Sequence, residues 1–395
     1  MKKEYKNLII ITIFYLIYVI LFIGKFNFNP SATIELSQNH LHQFTGTFPD
    51  NLIIHNSDGF DGQYYYMMSL DFSFNNLKIG ANFIQRIIYP FLAFLLSLGV
   101  KKLLPISFLL INFACILLSS CILMKLLKKY NASLNLVFLW ALNVGFLISI
   151  TRNLTEPLMI LFIITSIYFY EYKKHYLASL FLALSILTRE LALTFYVGFL
   201  LFFLIKKDFK KFLIYFLAIV PFAIWQIILF YKIGFFPILL SFQALGIPIG
   251  ILNYLQYIPQ QVTSNPAITL NLTSNNFFNI LKNLNSILSP IPVVLFFIVQ
   301  LFILIKIFIK HKKITLYTIL LLSQLALLAL LHKSLFWLEI DAIGRYALGM
   351  YLFSILYFVE KKKKYNILLL LSILLSSVLY FIQRAIIPKG GFYIT

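Results

Sequence analysis

The chain has 395 residues, of which 61% are hydrophobic and 12% charged, with a formal net charge of +20. Because soluble domains carry about 25% charged residues, this composition excludes an ordinary soluble protein and indicates repeated membrane-spanning helices. The lysines cluster at the ends of apolar runs, which fits the positive-inside rule and not nucleic-acid binding. Cys115 and Cys121 share one apolar run, so neither a disulfide nor a metal site is predicted.

Eleven apolar runs are predicted to be helical spans, several of them shorter than the ~20 residues that a perpendicular span needs. They are residues 7–24, 104–127, 134–150, 157–172, 176–188, 190–206, 212–231, 288–309, 314–331, 345–359 and 366–382. The prediction is an all-α, polytopic protein of a bacterial inner (cytoplasmic) membrane. It has one domain, residues 1–395, and a cytoplasmic N-terminus.

Two long segments are predicted on the outer side of the membrane, residues 25–103 and 232–287. The first contains the polar stretch HNSDGFDGQYYYMMSLDF and an apolar piece, residues 87–99. We interpret that piece as a short interfacial or re-entrant helix, because a span there would invert the side of every later lysine cluster.

Residues 176–206 are predicted to form two short helices that turn back at Arg189 and Glu190. This hairpin keeps the lysine pairs 173–174 and 206–207 on the same, inner side of the membrane, as the positive-inside rule favours. One long helix would separate the two pairs.

In this topology every arginine of the chain lies on the outer side, against the positive-inside rule. The five are Arg86, Arg152, Arg189, Arg345 and Arg384. The planar guanidinium group suits carboxylate and phosphate. Ionisable groups at membrane depth are costly, so outer carboxylates beside these arginines indicate a functional site. A carboxylate accepts a proton from an attacking hydroxyl, and arginines stabilise a departing phosphate.

Four stretches carry a family resemblance: FDGQYYYMMSLDF, IQRIIYPFLAFLLSLG, RNLTEPLMILF and LALSILTRELAL. In this order they resemble bacterial members of the GT-C glycosyltransferase superfamily with a D-G-Q-F-Y-Y motif, distantly similar to the mannosyltransferases of GPI-anchor assembly. The resemblance implies a hexosyltransferase that uses a polyprenyl-phosphate-linked sugar and has its catalytic carboxylate in the first outer loop. A glycan, lipid or protein acceptor is implied, with no cofactor.

Asp61 stands at the aspartate position of the D-G-Q-F-Y-Y motif and is predicted to be the general base. A helix N-cap is the alternative interpretation of its side chain, and the two roles are compatible. Asp58, three residues earlier, is the alternative base, with Asp61 then only capping the helix.

Substrate contacts are predicted for residues that flank this motif or begin later helices. Tyr64 and Tyr65 follow Asp61 on one helical face, where they stack on a sugar or pack at the interface. Arg86 and Tyr89 begin the interfacial helix, and Arg86 contacts the lipid phosphate or snorkels to headgroups. The others are Arg152, Glu156, Arg189 and Arg345.

The alternatives for these last residues are structural. Arg152 and Glu156, four apart, have the spacing of an ion pair at a helix end. For Arg152 and for Arg189 there are two interpretations: the arginine binds phosphate, or it holds two helices together. At the level of function, the alternatives are a transporter or flippase for a lipid-linked glycan and a non-enzymatic membrane protein.

Overall fold

The computed structural model describes residues 3–56, 58–74, 77, 79–242, 291–309, 314–331, 339–362, 367–386 and 393–394. These residues are mostly α-helical, so the predicted helical class is confirmed. Most of the second predicted outer segment, residues 243–287, lies outside the described residues.

Thirteen of the described helices precede residue 243. They are α1 (Lys3–Gly24), α2 (Gly62–Leu70), α3 (Ala81–Ile84), α4 (Ile88–Leu96), α5 (Leu104–Lys129), α6 (Leu136–Ala141), α7 (Val144–Thr151), α8 (Glu156–Glu171), α9 (His175–Thr188), α10 (Leu193–Ile205), α11 (Phe209–Phe216), α12 (Val220–Ile233) and α13 (Ile238–Phe242).

The described helices of the C-terminal part are α14 (Ile291–Ile309), α15 (Leu316–Leu330), α16 (Ile340–Tyr346), α17 (Leu348–Glu360) and α18 (Ile367–Phe381). Three two-residue strands, β1 (Leu36–Ser37), β2 (Ile54–His55) and β3 (Tyr393–Ile394), form one small sheet. Strand β2 pairs parallel with β1 and antiparallel with β3, so the sheet ties the first of the two segments predicted to be outer to residues 393–394.

Three described stretches are long and apolar enough to cross a membrane: Lys3–Gly24, Lys101–Lys129 and Phe209–Ile233. Helices α16 and α17 would form a fourth span as a pair bent by 41°. Several apolar helices of 10–17 residues accompany them. Apolar helices of this number and length indicate a helical membrane protein, and the total of eleven spans stays a prediction.

The predicted span 134–150 is wrong as a single helix, because the chain breaks into α6 and α7. At the break, the Asn143 side chain accepts a hydrogen bond from the Phe146 amide at 3.3 Å and caps α7. Every residue of α7 is buried. Helix α7 is therefore packed inside the protein and does not face lipid.

Helix α4 occupies the apolar piece that we interpreted as interfacial. Its nine residues extend about 14 Å, less than half of the ~30 Å hydrocarbon core. Phe91, Leu95 and Leu96 remain about half exposed on its outer face. Helix α4 is thus too short to cross a bilayer alone, and its interfacial placement stays a prediction.

Helix α8 connects two charged ends of the bundle. Glu156 begins the helix beside Arg189 and Arg345, and Glu171 ends it beside Lys129. A rise of 1.5 Å per residue separates the two glutamates by about 22 Å. We call these the arginine-rich end, which contains all five arginines, and the lysine-rich end, which is lined by Lys129, Lys173, Lys206 and Lys211.

The chain turns back at Arg189, as the hairpin interpretation requires. Lys173, just before α9, and Lys206, just after α10, line the same hollow at the lysine-rich end. Between the two helices, Glu190–Ala192 form a short 3-10 turn at the arginine-rich end.

Candidate functional site

A cavity of about 340 Å³ lies at the arginine-rich end. Its charged wall consists of Asp61, Arg86, Arg189, Glu190 and Arg345. The rest of the lining is largely apolar and includes Phe83, Leu191, Leu193, Ile238, Leu240, Phe242, Leu327 and Leu331. Residues far apart in the chain therefore combine a charged wall with an apolar one, which suits an amphiphilic ligand.

Asp61 occupies the N-cap position of α2, but its side chain caps no backbone amide. Instead, its Oδ2 lies 3.0 Å from Arg345 Nη1 and 4.0 Å from Arg86 Nη1. Burial alone would raise the pKa of the Asp61 carboxyl, but the charges of Arg345, Arg86 and Arg189 outweigh burial and lower the pKa. The carboxylate, 23% exposed in the cavity, is thus held ionised.

Arg86 is clamped by protein groups on all three nitrogens. Its Nε and Nη2 donate to the two carboxylate oxygens of Glu190 at 2.8 and 2.5 Å. Its Nη1 donates to the Tyr65 hydroxyl at 2.6 Å. This bidentate pair orients Arg86 toward Asp61 and occupies the donors that our prediction assigned to a lipid phosphate.

Arg345 approaches the site through a close helix crossing. A Cβ on Gly145 of α7 would lie 2.6 Å from the Gly344 carbonyl oxygen of α16, so only a glycine there lets the helices approach this closely. Arg345 Nε donates to the Asp341 carbonyl at 2.6 Å, and Nη1 faces both Asp61 and Glu156. Its Nη2 has no partner among the described residues.

Glu156 bridges two of the arginines. Its Oε1 lies 2.9 Å from Arg189 Nη1 and 3.2 Å from Arg345 Nη1, and the residue is fully buried. The proposed pairing of Glu156 with Arg152 is wrong, because α8 begins at Glu156 and Arg152 precedes it in a turn. The two residues therefore do not share the helix that four-residue spacing would need.

Arg152 does not line the cavity but lies beside it. It pairs with Asp341 at 2.8 Å and with Glu35 at 3.5 Å. Its guanidinium lies 3.8 Å from the ring centre of Phe60, whose ring also contacts Arg345 at 4.8 Å. Arg152 thus packs against the loop that carries Asp61, in place of the predicted contact with substrate.

Glu35 is a buried partner that our sequence prediction did not include. It joins Arg152 to Arg384, so the ion pairs extend to the end of the chain. Its backbone is left-handed, with a φ of 52°, which is uncommon outside glycine and asparagine. The sequence offered one signal: Glu35 is an isolated acid in an otherwise uncharged part of the first outer segment, residues 26–49.

The predicted tyrosines lie at different depths. Tyr64 is half-buried and stacks on Phe83, with ring centres 4.2 Å apart. Tyr65 is fully buried, and its hydroxyl accepts from Arg86. Tyr89 packs edge-on against Tyr65 and does not line the cavity, so its contact with the site is through Tyr65.

Asp58, the alternative base, is exposed and lies outside the cavity lining. Its Oδ1 accepts from Asn39 Nδ2 at 3.3 Å. The geometry favours Asp61 over Asp58 for any reaction inside the cavity.

Gln85 was not among the predicted site residues, but it holds one wall of the cavity in place. Its side-chain amide donates to Ser241 at 2.8 Å, and its amide oxygen accepts from Gln226 at 3.0 Å. These bonds hold α12 and α13 against the first outer segment. The signal in the sequence was the Gln85-Arg86 pair in the stretch IQRIIYPFLAFLLSLG, which carries part of the family resemblance.

In comparisons with known proteins, no family profile, no curated protein and no solved structure matches this chain significantly.

Proposed function

We propose that the protein is a membrane glycosyltransferase that moves a sugar from a polyprenyl-phosphate-linked donor to an acceptor on the outer face of the membrane. Asp61 acts as the general base. Arg345 and Arg189 bind the donor phosphate, while Arg86 holds Asp61 and Tyr65 in place. The acceptor is a glycan, a lipid or a protein that presents a hydroxyl group.

The proposed step is a single displacement. Asp61 takes the proton of the acceptor hydroxyl as its oxygen attacks the anomeric carbon, and the bond from that carbon to the phosphate oxygen breaks. The phosphate leaves with the electron pair, and arginines stabilise its charge. Attack opposite the leaving group inverts the anomeric centre.

The proposal rests on one observation: a single cavity has a charged lining for the reaction and an apolar lining for the lipid. A carboxylate lies 3.0 Å from an arginine in its charged wall, and a wall of leucines and phenylalanines faces them. In addition, Arg189 Nε is buried without a hydrogen-bond partner among the described residues. A buried unpaired donor is costly and is satisfied when an anion binds.

One observation favours a second candidate, a non-enzymatic protein in which the network only holds helices together. Asp61, Glu156 and Glu190 balance the charges of Arg86, Arg189 and Arg345, so these ion pairs are complete without a ligand. Alanine at Arg345 would destabilise the fold in both cases, because it removes a charge that Asp61 and Glu156 share in a largely buried network. The decisive variants must therefore preserve side-chain shape.

The experiment supplies a labelled polyprenyl-phosphate sugar to membranes that contain the wild type or Asp61→Asn. We expect transfer to fall by about 10²- to 10⁴-fold, the usual contribution of a general base. Equal transfer by both proteins would discard Asp61 as the base. Asp58→Asn, measured in parallel, assigns the proton transfer to Asp58 if it alone abolishes activity.

Asp50→Asn is the matched control, because Asp50 is an exposed aspartate of the same segment that lies outside the cavity lining. It should transfer sugar at the wild-type rate. A monodisperse elution profile for Asp61→Asn would show that lost transfer is not lost folding.

A further inference from the structure

A hollow of about 750 Å³ lies at the lysine-rich end. It lies where α8 and α10 end and where α9 and α11 begin. Basic side chains line its rim, namely Lys129, Lys173, His175, Lys206 and Lys211. Tyr170, Phe202 and Phe203 contribute aromatic walls. Glu171 and Asp208 also line the hollow, so its four lysines outnumber its two carboxylates.

Of the six lysines that line this hollow or the one adjoining it, two have a carboxylate partner among the described residues. Lys129 pairs with Glu171, and Lys211 pairs with Asp208. Lys173 and Lys206 have no carboxylate partner in the described part of the chain, and neither do Lys174 and Lys210 of the adjoining hollow. The two hollows together thus present four lysines that are not paired with a described carboxylate.

A second hollow adjoins the first and shares Lys173, His175 and Lys211 with it. It is lined by Lys174, Tyr176, Leu177, Lys210 and Ile214, among others. The Ser179 hydroxyl donates to the Ile214 carbonyl at 2.7 Å and so joins α9 to α11 along this groove.

An exposed apolar surface continues from this second hollow along α9 and past the end of α11. Leu180, Leu213 and Leu217 are 52%, 59% and 56% exposed there. In a helical membrane protein such a surface faces acyl chains. The basic hollow and the apolar surface are thus the two parts of one amphiphilic groove.

We propose that this groove binds an anionic phospholipid, with its phosphodiester between Lys174, Lys210 and Lys173 and its acyl chains along Leu180, Leu213 and Leu217. A free phosphate has the same charge chemistry, but it would leave the adjoining apolar surface unused. Basic pockets between helices at a membrane surface are typical sites for acidic headgroups. This site lies at the end of the bundle opposite the candidate active site and goes beyond the proposed function.

The test titrates the delipidated full-length protein, in neutral detergent, with phosphatidylglycerol or phosphatidylcholine and counts retained lipids by native mass spectrometry. We expect wild type to retain phosphatidylglycerol about tenfold better than phosphatidylcholine, since each nearby lysine strengthens binding of an acidic lipid. Lys174→Ala/Lys210→Ala should lose that preference. Both side chains are exposed, so this variant should fold, and Lys206→Ala provides a second variant with a smaller loss.

Lys3→Ala/Lys6→Ala is the matched control, because it removes the same charge from exposed lysines of α1, near the Glu4–Lys128 pair and outside the groove. It should keep the wild-type preference. Equal retention of both lipids by wild type, or an equal loss in the control, would overturn the proposal. Displacement of the phospholipid by inorganic phosphate at equal concentration would also overturn it, in favour of a free anion.

Discussion

The two charged ends of the bundle differ in how far their basic side chains are buried and paired with carboxylates. At the arginine-rich end, Arg86, Arg189 and Arg345 are at most 7% exposed, and each pairs with at least one carboxylate. At the lysine-rich end, Lys128 has a side chain 52% exposed, and Lys206 has no carboxylate partner among the described residues. Arginine is thus used where charge is buried, and lysine where it is solvated.

The difference follows from the chemistry of the two side chains. A guanidinium group is weakly hydrated and donates in a planar fork, so it can be buried when carboxylates satisfy it. An ammonium group is strongly hydrated and remains at the surface. Burial of the charged side chains therefore distinguishes the arginine-rich end, which holds the candidate active site, from the lysine-rich end.

The largest expected effect comes from breaking the buried network. Arg189→Leu leaves Glu156 without its 2.9 Å partner and should lower the free energy of unfolding by about 3–5 kcal/mol. Denaturant-driven unfolding in detergent micelles measures this value. Arg189→Leu/Glu156→Leu is the control, since removing both charges should recover much of the loss. A single variant that unfolds like wild type would contradict our account of this end.

A smaller loss is expected where the start of α2, next to Asp61, contacts the turn that follows α7. A Cβ on Gly62 would lie 2.1 Å from the Arg152 carbonyl oxygen, so Gly62→Ala forces one of the two segments to move. We expect a cost of about 1–3 kcal/mol in the same unfolding assay. At Gly24 the nearest atom would be at 3.6 Å, so Gly24→Ala should be close to neutral. Equal effects of the two substitutions would refute the tight contact.

The charge on Arg345 should set the acid limit of activity. Three arginines lower the pKa of Asp61, and Arg345 has the largest effect of the three. Since Asp61 acts as a base only when ionised, activity is lost as pH falls through that pKa. Arg345→Gln raises the pKa, so the acid limb of the kcat/KM profile should move to higher pH. Arg384→Gln, an arginine outside the cavity lining, should leave the limb in place. An unmoved limb in Arg345→Gln would separate Asp61 from catalysis.

The smallest effect is expected at the lysine-rich end. Lys128→Ala removes an exposed ion pair with Glu4 and should change the free energy of unfolding by less than about 1 kcal/mol. The comparison with Arg189→Leu uses the same assay. A cost as large as that of Arg189→Leu would remove the distinction between the two ends.

Much of the architecture is readable in the sequence because it depends on local composition. Apolar run length predicts membrane helices, and the positions of lysines predict that the chain turns back at Arg189. The pairing of charges was less accessible. Four-residue spacing suggested Arg152 with Glu156, yet a turn between them directs Arg152 to Glu35 and Asp341 and leaves Glu156 to Arg189 and Arg345.

By itself, the sequence determined a helical membrane protein whose arginines avoid the lysine-rich ends of its apolar runs, and it singled out Asp61, Arg86 and Arg345. Only the tertiary structure decided which carboxylate each arginine meets and that Asp61 lies in a cavity while Asp58 does not. The physical reason is the distance along the chain between the residues that interact. Hydropathy and capping act within a few residues of the chain, whereas the 3.0 Å contact between Asp61 and Arg345 joins positions 284 residues apart and exists only after the helices pack.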